Sequence, residues 1–548
     1  MIRLIFLILL APFSIFLSRS QGYSPPLRIP LTLAANFGEL RTNHFHMGLD
    51  FKTNGKEGLE ILSIADGFIS RIKVSPYGYG KAIYIEHPDG KTSVYGHCSA
   101  FKGNADSIVK AIQELEENAE IDVYFTPNEL PVKKGQVIAY SGNTGRSSAP
   151  HLHFELRDTK TGDALNPILH GFTINDHRPA ELYTLKFYAL SEEGYPIPGK
   201  SKEYRLKKNS TGNFVIAERV LLPSTFFGHS GGIGIAVQAN DKYDGSDNLC
   251  GIYEANLIME GLPQKHTRID RISFESSRYI NAYTDHPEFI KGRDFHHLFH
   301  ASEDPLTIHK GDLDGILMIQ PGQVKNCVLR INDESGNTSV LSFVVTAENG
   351  KRNISDPFPE NVYFDPAQQI RIEEDTPGKA RISLDPHTLY VPLKREFSLT
   401  PPYYLGSNNI PIQKDIRIEI PSPKMDHVYL EVLDEKGRPK AHETVYASGY
   451  YLSFPKNLGI FRLKKDPTGP SVTWKGRSGK FVSWTVSEHE TEIFDYDLFV
   501  DGEWVLLEYE SKKDLLFAAL PPGNGNRRLK LIVTDLAGNK TIKEMELP

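Results

Sequence analysis

Short segments in which apolar and polar residues alternate run through most of this sequence, and glycines punctuate them. In the first third of the chain they include residues 61–74, 81–97, 135–142 and 150–158. Alternation with a period of two indicates strands that bury one face, and Asp-Gly pairs are typical of hairpin turns. The 44 glycines and 36 prolines also favour turns over long helices. We therefore predict a mainly β chain built from antiparallel sheets.

One segment has a different period. Residues 107–118 place Ile108, Ile112 and Leu115 at helical spacing, with acidic residues on the opposite side. We predict that this segment is a helix inserted into an otherwise all-β unit.

The length of 548 residues corresponds to three or four domains at roughly 150 residues each. Apolar residues (39%) and charged residues (24%) occur at the level of ordinary globular proteins, which excludes a wholly disordered chain. The formal net charge of −7 argues against nucleic acid as the main partner, because proteins that bind a phosphate backbone concentrate lysine and arginine.

A weak internal repeat is present in the later part of the chain. Residues 256–261 resemble residues 497–502, and residues 329–343 resemble residues 531–545, where both copies contain an Asp-x-x-Gly-Asn turn. Strands and turns repeated in this way predict two β-sandwich modules of the immunoglobulin-like or fibronectin-III-like type.

The strand-rich and polar stretches of the sequence together predict the domain boundaries. We expect, in chain order, a first β-rich unit (23–172), a β-sandwich module with an insertion (180–348), a polar linker (350–366), a β-rich module without a repeat partner (367–460) and a C-terminal β-sandwich module (465–548).

The first residues have the pattern of a secretory signal. An uninterrupted apolar run (4–17) follows Arg3, and small residues at Ser18 and Ser20 suit a cleavage site. The run contains Pro12 and is short for a membrane span, so we predict a cleaved signal peptide over residues 1–20. The mature chain is then exported to the periplasm or the cell surface without a stable membrane span. An uncleaved anchor is the alternative.

Three cysteines are few for an exported chain, so stability must come from ordinary hydrophobic cores. Cys250 and Cys327 are the natural pair for a disulfide because both lie in one β-rich region, and two buried free thiols are the alternative. Cys98 follows His97 on a strand and faces the opposite side from it, so we expect a small buried hydrophobic residue there.

Two short histidine motifs lie about a hundred residues apart in the first unit. His46 and Asp50 form the first motif, and His151 and His153 form the second on a predicted strand. Residues two apart on a strand share a face, so the second pair projects together. Two imidazoles and a carboxylate suit Zn²⁺ and leave a fourth position for water. Either motif alone is a weak signal, and a third histidine, His97, ends a strand between them.

The segments that carry these motifs resemble a known family. Residues 36–51, 60–72, 93–100 and 131–157 are similar to the catalytic domain of the M23 zinc metallopeptidases, of the lysostaphin and LytM type, which cut peptide cross-links in peptidoglycan. The overall layout is similar to that of exported multidomain members of the family. The resemblance implies an antiparallel β-sheet peptidase domain that binds one zinc ion.

The resemblance also implies the role of each histidine. His46, Asp50 and His153 match the metal ligands, and His97 and His151 match the two histidines at the catalytic centre that do not bind the metal. No His-Glu-x-x-His motif is present to supply a glutamate base. His97 and His151 are therefore the candidates for taking the water proton, stabilising the oxyanion and protonating the leaving amine, in an order that the sequence leaves open.

The expected function is that of an exported zinc metalloendopeptidase that acts on peptidoglycan stem peptides. A cell-envelope protein is a further expected partner, through the β-sandwich tail, and nucleic acid is not expected. The alternative is a non-catalytic cell-envelope scaffold that binds peptidoglycan or activates a separate amidase.

Two features depart from the compact family pattern. Residues 103–126, which contain the predicted helix, are inserted, and we expect them to border or cap the substrate groove unless they form an inert surface helix. Asp241, Asp244 and Asp247 form an acidic stretch that suits either Ca²⁺ or, more simply, a solvated turn.

Overall fold

The structure is a computed structural model that describes residues 22–547, except for 228–231, 302–303, 351–355, 375, 377, 435 and 524–525. The predicted signal peptide lies outside the described residues, as does part of the predicted linker. Among the helices of the described residues, none is long and apolar enough to cross a bilayer. The chain is mainly β and its sheets are largely antiparallel, as the alternating segments predict.

The first unit consists of fourteen short strands and one helix. They are β1 Leu33–Ala35, β2 Leu40–Arg41, β3 His44–Phe45, β4 Leu49–Lys52, β5 Glu60–Leu62, β6 Gly67–Val74, β7 Lys81–Glu86, β8 Lys91–Cys98, β9 Ala100–Phe101, α1 Asn104–Leu115, β10 Ile121–Tyr124, β11 Pro131–Val132, β12 Val137–Tyr140, β13 His151–Asp158 and β14 Ala164–Leu165.

The main sheet of this unit has the strand order β1-β4-β13-β8-β7-β6-β10, and a smaller sheet has the order β5-β12-β9. Strand β13 lies between β4 and β8 in the main sheet. Leu152, Phe154 and Leu156 point from β13 into the hydrophobic core. Because alternate residues face opposite sides, the other face of β13 carries His151 and His153.

The predicted inserted helix is confirmed as α1, which begins three residues before the predicted segment. Ala105 and Val109 bury its inner side in the core of the first unit. The rest of the insertion adds β10 to the edge of the main sheet, paired with β6. The insertion therefore supplies both a helix on the core and an edge strand.

The second unit contains one ten-stranded sheet and two short helices. Its elements are β15 Glu181–Leu190, β16 Pro196–Lys208, β17 Phe214–Ile216, β18 Val220–Leu222, β19 Gly232–Asn240, β20 Glu254–Met259, β21 Leu262–Arg268, β22 Arg271–Ile272, α2 Ile280–Tyr283, α3 His286–Ile290, β23 Phe295–His297, β24 Val324–Asn332 and β25 Thr338–Ala347. Strand β22 pairs instead with β14 of the first unit.

Part of the second unit packs in the core of the first unit. Buried side chains between residues 243 and 308 join that core, namely Tyr243, Cys250, Ile269, Ile272, Ile280, Tyr283, Leu306 and Ile308. The two units are therefore packed together through this segment.

The predicted disulfide between Cys250 and Cys327 is wrong. Both thiols, like that of Cys98, are free and buried. Cys250 packs in the core of the first unit, whereas Cys327 lies on β24 and packs in the core of the second. Cys250 precedes the start of β20, which pairs with Asn332, whereas Cys327 pairs with Met259 at the other end of β20, so the length of the strand separates the two thiols.

The third unit has two five-stranded sheets and one two-stranded sheet around one core, and the fourth has two four-stranded sheets around one core. The third contains β26 Tyr363–Phe364, β27 Ile370–Ile372, β28 Arg381–Leu384, β29 Leu393–Lys394, β30 Phe397–Ser398, β31 Tyr403–Leu405, β32 Arg417–Pro421, β33 Val428–Leu433, β34 Pro439–His442, β35 Val445–Ala447, β36 Tyr450–Ser453 and β37 Gly459–Lys465. The fourth contains β38 Ser471–Ser478, β39 Phe481–Ser487, β40 Ile493–Val500, β41 Glu503–Val505, β42 Leu507–Glu510, β43 Leu515–Ala519, β44 Arg527–Asp535 and β45 Lys540–Leu547.

The internal repeat has a structural counterpart. Four strands of the second unit have the order β21-β20-β24-β25, and four strands of the fourth have the order β41-β40-β44-β45. The repeated Asp-x-x-Gly-Asn turn joins the last two strands in each case. Strand β26 forms at the end of the range predicted as a linker, so the third unit begins inside that range.

Candidate metal centre

Two adjacent strands and one hairpin bring the first histidine motif to the second. Asp50 on β4 lies directly opposite His153 on β13. His46 follows the hairpin formed by β2 and β3, and its backbone amide donates to the Glu39 carbonyl at 2.8 Å. His97, near the end of β8, has a positive φ of 59°. The structure thus brings together all five residues that the sequence singled out.

Three side-chain atoms converge at the centre of this group. His46 Nε2 lies 3.1 Å from Asp50 Oδ1 and 3.1 Å from His153 Nδ1, and His153 Nδ1 lies 2.9 Å from Asp50 Oδ1. The three atoms could hold one metal ion. Ligand atoms around a tetrahedral zinc ion lie about 3.3 Å apart, given bonds of about 2.0–2.1 Å, so the residues present fit zinc.

The far nitrogen of each ligand histidine is fixed by an acceptor. His46 Nδ1 donates to the Asn36 carbonyl at 2.7 Å, and His153 Nε2 donates to Glu155 Oε1 at 2.8 Å. A carbonyl oxygen or a carboxylate can only accept, so the far nitrogen carries the proton in each ring and the nitrogen toward the centre is the one that can offer a lone pair to a metal ion. Partners of this kind orient metal ligands and raise their basicity.

A buried network surrounds Glu155. Its Oε1 also accepts from the Tyr79 hydroxyl at 2.5 Å, and its Oε2 accepts from Arg157 Nε at 2.6 Å. The Tyr79 ring stacks on His153 with centroids 5.0 Å apart. Burial raises the pKa of Glu155, but Arg157 and His153 outweigh it and lower the pKa to about 2. Glu155 is therefore a carboxylate that holds His153 in place.

Asp50 is held in its charged form in a similar way. Burial raises its pKa, but His46 and two hydrogen-bonding imidazoles outweigh burial and hold the pKa well below its ordinary value. Its second oxygen, Oδ2, lies 3.6 Å from the Arg41 guanidinium, which also pairs with Glu39 at 3.0 Å. Oδ1 is thus the atom that faces the two ligand histidines.

His97 and His151 form a second pair beside the ligands, with ring centroids 4.7 Å apart. His97 Nδ1 donates to the Thr144 carbonyl at 2.8 Å, and His151 Nδ1 donates to the Ala149 carbonyl at 2.8 Å. Nε2 of each ring is therefore the nitrogen that is free to exchange a proton, and Nε2 of His151 lies 3.4 Å from Asp50 Oδ1. Burial, followed by the neighbouring His153 and His151, lowers the pKa of His97 to about 3, so this ring is neutral.

The loop at residues 142–150 positions both of these histidines, and the fourth unit contacts it. Lys512 Nζ donates to the Asn143 carbonyl and, at 3.1 Å, to the Ser147 carbonyl. Ser147 Oγ lies 3.1 Å from His151 Nδ1. An ion pair of 2.6 Å between Lys81 and Glu508 joins the same two units nearby. The fourth unit therefore contacts and stabilises the loop whose carbonyls accept hydrogen bonds from His97 and His151.

The face of the sheet that carries the histidines extends to the insertion. Cross-strand partners lead from Glu155 on β13 through Val94, Tyr84 and Arg71 to Tyr124 on β10. Directly paired residues share a face, so Tyr124 lies on the same face as His153. The strand of the insertion forms the far edge of this face, whereas α1 packs on the core side.

Sequence reasoning missed four residues of the site: Asn36, Tyr79, Glu155 and Lys512. Glu155 had a usable signal because it follows His153 by two positions on one strand and so shares its face. The others act through a backbone carbonyl or across long sequence separations, which no local pattern reveals. Cys98, by contrast, is buried in the core as expected.

The cluster of two histidines and one aspartate lies in a part of the chain that matches a peptidase family. Residues 44–121 and 119–167 match the model of Peptidase family M23, and the chain therefore contains a domain of that family.

Two curated relatives match about a quarter of the chain. DD-carboxypeptidase/endopeptidase Mpg of Neisseria meningitidis serogroup B is 33% identical over 129 residues, which is 24% of this chain and 23% of that protein. The murein hydrolase activator EnvC of Escherichia coli is 30% identical over 132 residues, 24% of this chain and 23% of that protein. This chain thus covers about a quarter of the length of these relatives. A solved structure of the catalytic domain of lysostaphin from Staphylococcus simulans is 27% identical, covers 24% of this chain and 86% of its own, and has a TM-score of 0.18.

Proposed function

We propose that this chain is an exported zinc metalloendopeptidase that hydrolyses peptide cross-links of peptidoglycan. The observation that carries the proposal is the convergence of His46, Asp50 and His153 beside two further histidines whose Nε2 atoms are free to exchange a proton. The relatives, a DD-carboxypeptidase/endopeptidase and a murein hydrolase activator, support a cell-wall peptide as the substrate class.

His46, Asp50 and His153 would hold the zinc ion. Zinc at that position supplies a Lewis acid for the scissile carbonyl and acidifies water. The remaining chemistry belongs to His97 and His151, whose Nδ1 protons are held by the carbonyls of Thr144 and Ala149. Each ring can take the proton of the attacking water at Nε2 and return it to the leaving amine.

Tyr124 lies at the far edge of the sheet face that carries His153. Tyr124 is 69% exposed and lies under the guanidinium of Arg71, 5.1 Å from the ring centroid. We infer that the insertion borders the substrate groove through β10 rather than capping it through α1.

Digestion of purified sacculi tests the proposal. The full chain should release cross-link fragments that mass spectrometry identifies, lose this activity in a chelator and regain it with added zinc. His46→Ala should be inactive. His44→Ala is the matched control, because His44 lies two residues away, is exposed, hydrogen-bonds to the carbonyl of Thr42 at 2.8 Å and lies outside the proposed ligand set.

The scaffold function is favoured by one observation, the similarity to EnvC, whose name makes it an activator. An activator would bind sacculi without releasing fragments and would stimulate a separate amidase. Fragment-free binding by a zinc-loaded chain would therefore replace the enzyme proposal with the activator.

A further inference from the structure

The second and fourth units each contain a cluster of three carboxylates away from the zinc-site candidates. The first acidic cluster consists of Asp176, Asp241 and Asp333, and the second consists of Asp466, Glu488 and Asp535. In each cluster, one oxygen from every residue lies within 4.8 Å of the other two. Neither cluster belongs to the peptidase domain that the family model covers.

The first members of the two clusters occupy equivalent positions. Asp176 precedes the start of β15 by five residues, and Asp466 precedes the start of β38 by five. Asp176 Oδ1 accepts from the Arg178 amide at 3.0 Å, and Asp466 Oδ1 accepts from the Thr468 amide at 3.0 Å. Both residues therefore lie, in the same local conformation, on the segment that enters a β unit.

The second members also correspond. Asp333 and Asp535 begin the repeated turn, and their Oδ1 atoms accept from the amides of Asn337 and Asn539, each at 2.8 Å. The side-chain amides of these asparagines reach across to the carbonyls of Asp176 and Asp466, each at 3.3 Å. The turn is thereby tied to the entering segment in both units.

The third members directly follow matching strands. Asp241 follows β19, the partner of β15, and Glu488 follows β39, the partner of β38. Asp241 Oδ1 accepts from the Lys242 amide at 2.8 Å, and Glu488 Oε1 accepts from the His489 amide at 2.7 Å. Three chain segments therefore meet at each cluster.

The clusters lack a protein cation. In the part of the chain that the structure describes, no ion pair joins lysine, arginine or histidine to any of these six carboxylates. Asp176 is 7% exposed and Asp466 is fully buried, and the Oδ2 atom of each has no hydrogen-bond partner. Buried carboxylates without a compensating charge are costly, so these oxygens indicate a bound cation.

In the third unit, an arginine neutralises the aspartate that begins a similar turn. Asp434 begins a similar turn, but Arg438 replaces the asparagine and its Nε donates to Asp434 Oδ2 at 2.8 Å. Among the described residues, no three-carboxylate cluster accompanies this turn. A guanidinium thus neutralises the aspartate where the two other units have only carboxylates.

We propose that each acidic cluster binds one Ca²⁺ ion and that the two ions fix the entering segments to the second and fourth units. Calcium prefers oxygen ligands, accepts carboxylates in one- or two-oxygen contact and tolerates irregular geometry. The acidic stretch noted in the sequence contributes only Asp241. Asp244 pairs with His177 at 2.6 Å, and Asp247 is exposed.

Calcium counting tests the proposal. The zinc-loaded full chain is dialysed against about 1 mM CaCl2, a concentration suited to extracellular calcium modules, and bound calcium is measured by mass spectrometry. Wild type should bind two calcium ions per chain, and Asp241→Asn and Glu488→Gln should each bind one. Asp247→Asn is the matched control and should bind two.

Thermal unfolding supplies a readout that misfolding cannot imitate. Burial, with Asp176 and Asp333 close by, raises the pKa of Asp241 to about 8, so the calcium-free arm is run at pH 9, where Asp241 is one of three repelling charges. In calcium-free, zinc-containing buffer at that pH, Asp241→Asn should melt above wild type, whereas in calcium it should melt below wild type. The proposal is overturned if wild type binds no calcium at this concentration, or if both cluster variants retain two ions.

Discussion

Glu155 Oε1 accepts a hydrogen bond from His153 Nε2 at 2.8 Å, and this contact decides which nitrogen of His153 faces the metal position. Glu155→Gln keeps the shape of the side chain but removes the negative charge. We expect zinc affinity to fall by about 10- to 100-fold, as for other carboxylates behind metal-bound histidines. Competition with a chelator of known affinity measures this change. Unaltered zinc affinity in a folded variant would show that Glu155 does not support the ligand.

His97 and His151 are expected to act in catalysis and not in metal binding. His97→Ala and His151→Ala should each retain one zinc ion and lower the rate of cross-link hydrolysis by about 100- to 10,000-fold. Zinc content and fragment release from sacculi are measured on the same samples. Loss of zinc from either variant would move that histidine into the ligand set.

Lys512 should influence the active site across the boundary between two units, because it donates to the carbonyls of Asn143 and Ser147. Lys512→Met should lower the rate by up to about tenfold, the equivalent of one hydrogen bond from a charged donor, and leave zinc content unchanged. Lys513→Met is the control. Lys513 is the exposed neighbour of Lys512, and no contact to the loop at residues 142–150 is described for it. If both variants were as active as wild type, Lys512 of the fourth unit would have no influence on the rate of hydrolysis.

Lys265 should make stability depend on pH. Its ammonium is buried against His300, and burial lowers the pKa of Lys265 to about 7. Between pH 7 and about 10.4, the unfolded chain binds this proton and the folded chain does not, so stability rises with pH through that window.

The variant Lys265→Met tests this pH dependence, because methionine has a similar length but no titratable group. The difference in melting temperature between wild type and the variant should shift in favour of wild type as the pH rises from 7 to 9. A constant difference across this range would contradict the assignment.

Sequence patterns predicted the face shared by His151 and His153 and the inserted helix, because both depend only on local periodicity. The grouping of His46, Asp50 and His97 with them came from family resemblance, since strands β4, β8 and β13 are neighbours only in space. The contacts of Lys512 with the loop at residues 142–150 and the packing of Cys250 against the first core could not be predicted. Both depend on contacts between residues hundreds of positions apart, which have no local signature.

The same distinction applies to the support of His46. Its acceptor is the carbonyl of Asn36, and the side chain of Asn36 exchanges two 2.9 Å hydrogen bonds with the backbone of Gly251. From the sequence, a polar side chain close to His46 could have been proposed as its hydrogen-bond acceptor. A backbone carbonyl, in a residue that the second unit holds in place, could not have been predicted.

We propose that the histidine and aspartate cluster hydrolyses peptide cross-links through zinc. The most direct measurement is digestion of purified sacculi in ¹⁸O-enriched water by wild type and His46→Ala, with mass analysis of the products. We predict that wild type consumes cross-linked dimers and places one heavy oxygen in each new carboxylate, and that His46→Ala does neither. Intact dimers after treatment with the zinc-loaded wild-type chain would contradict the account.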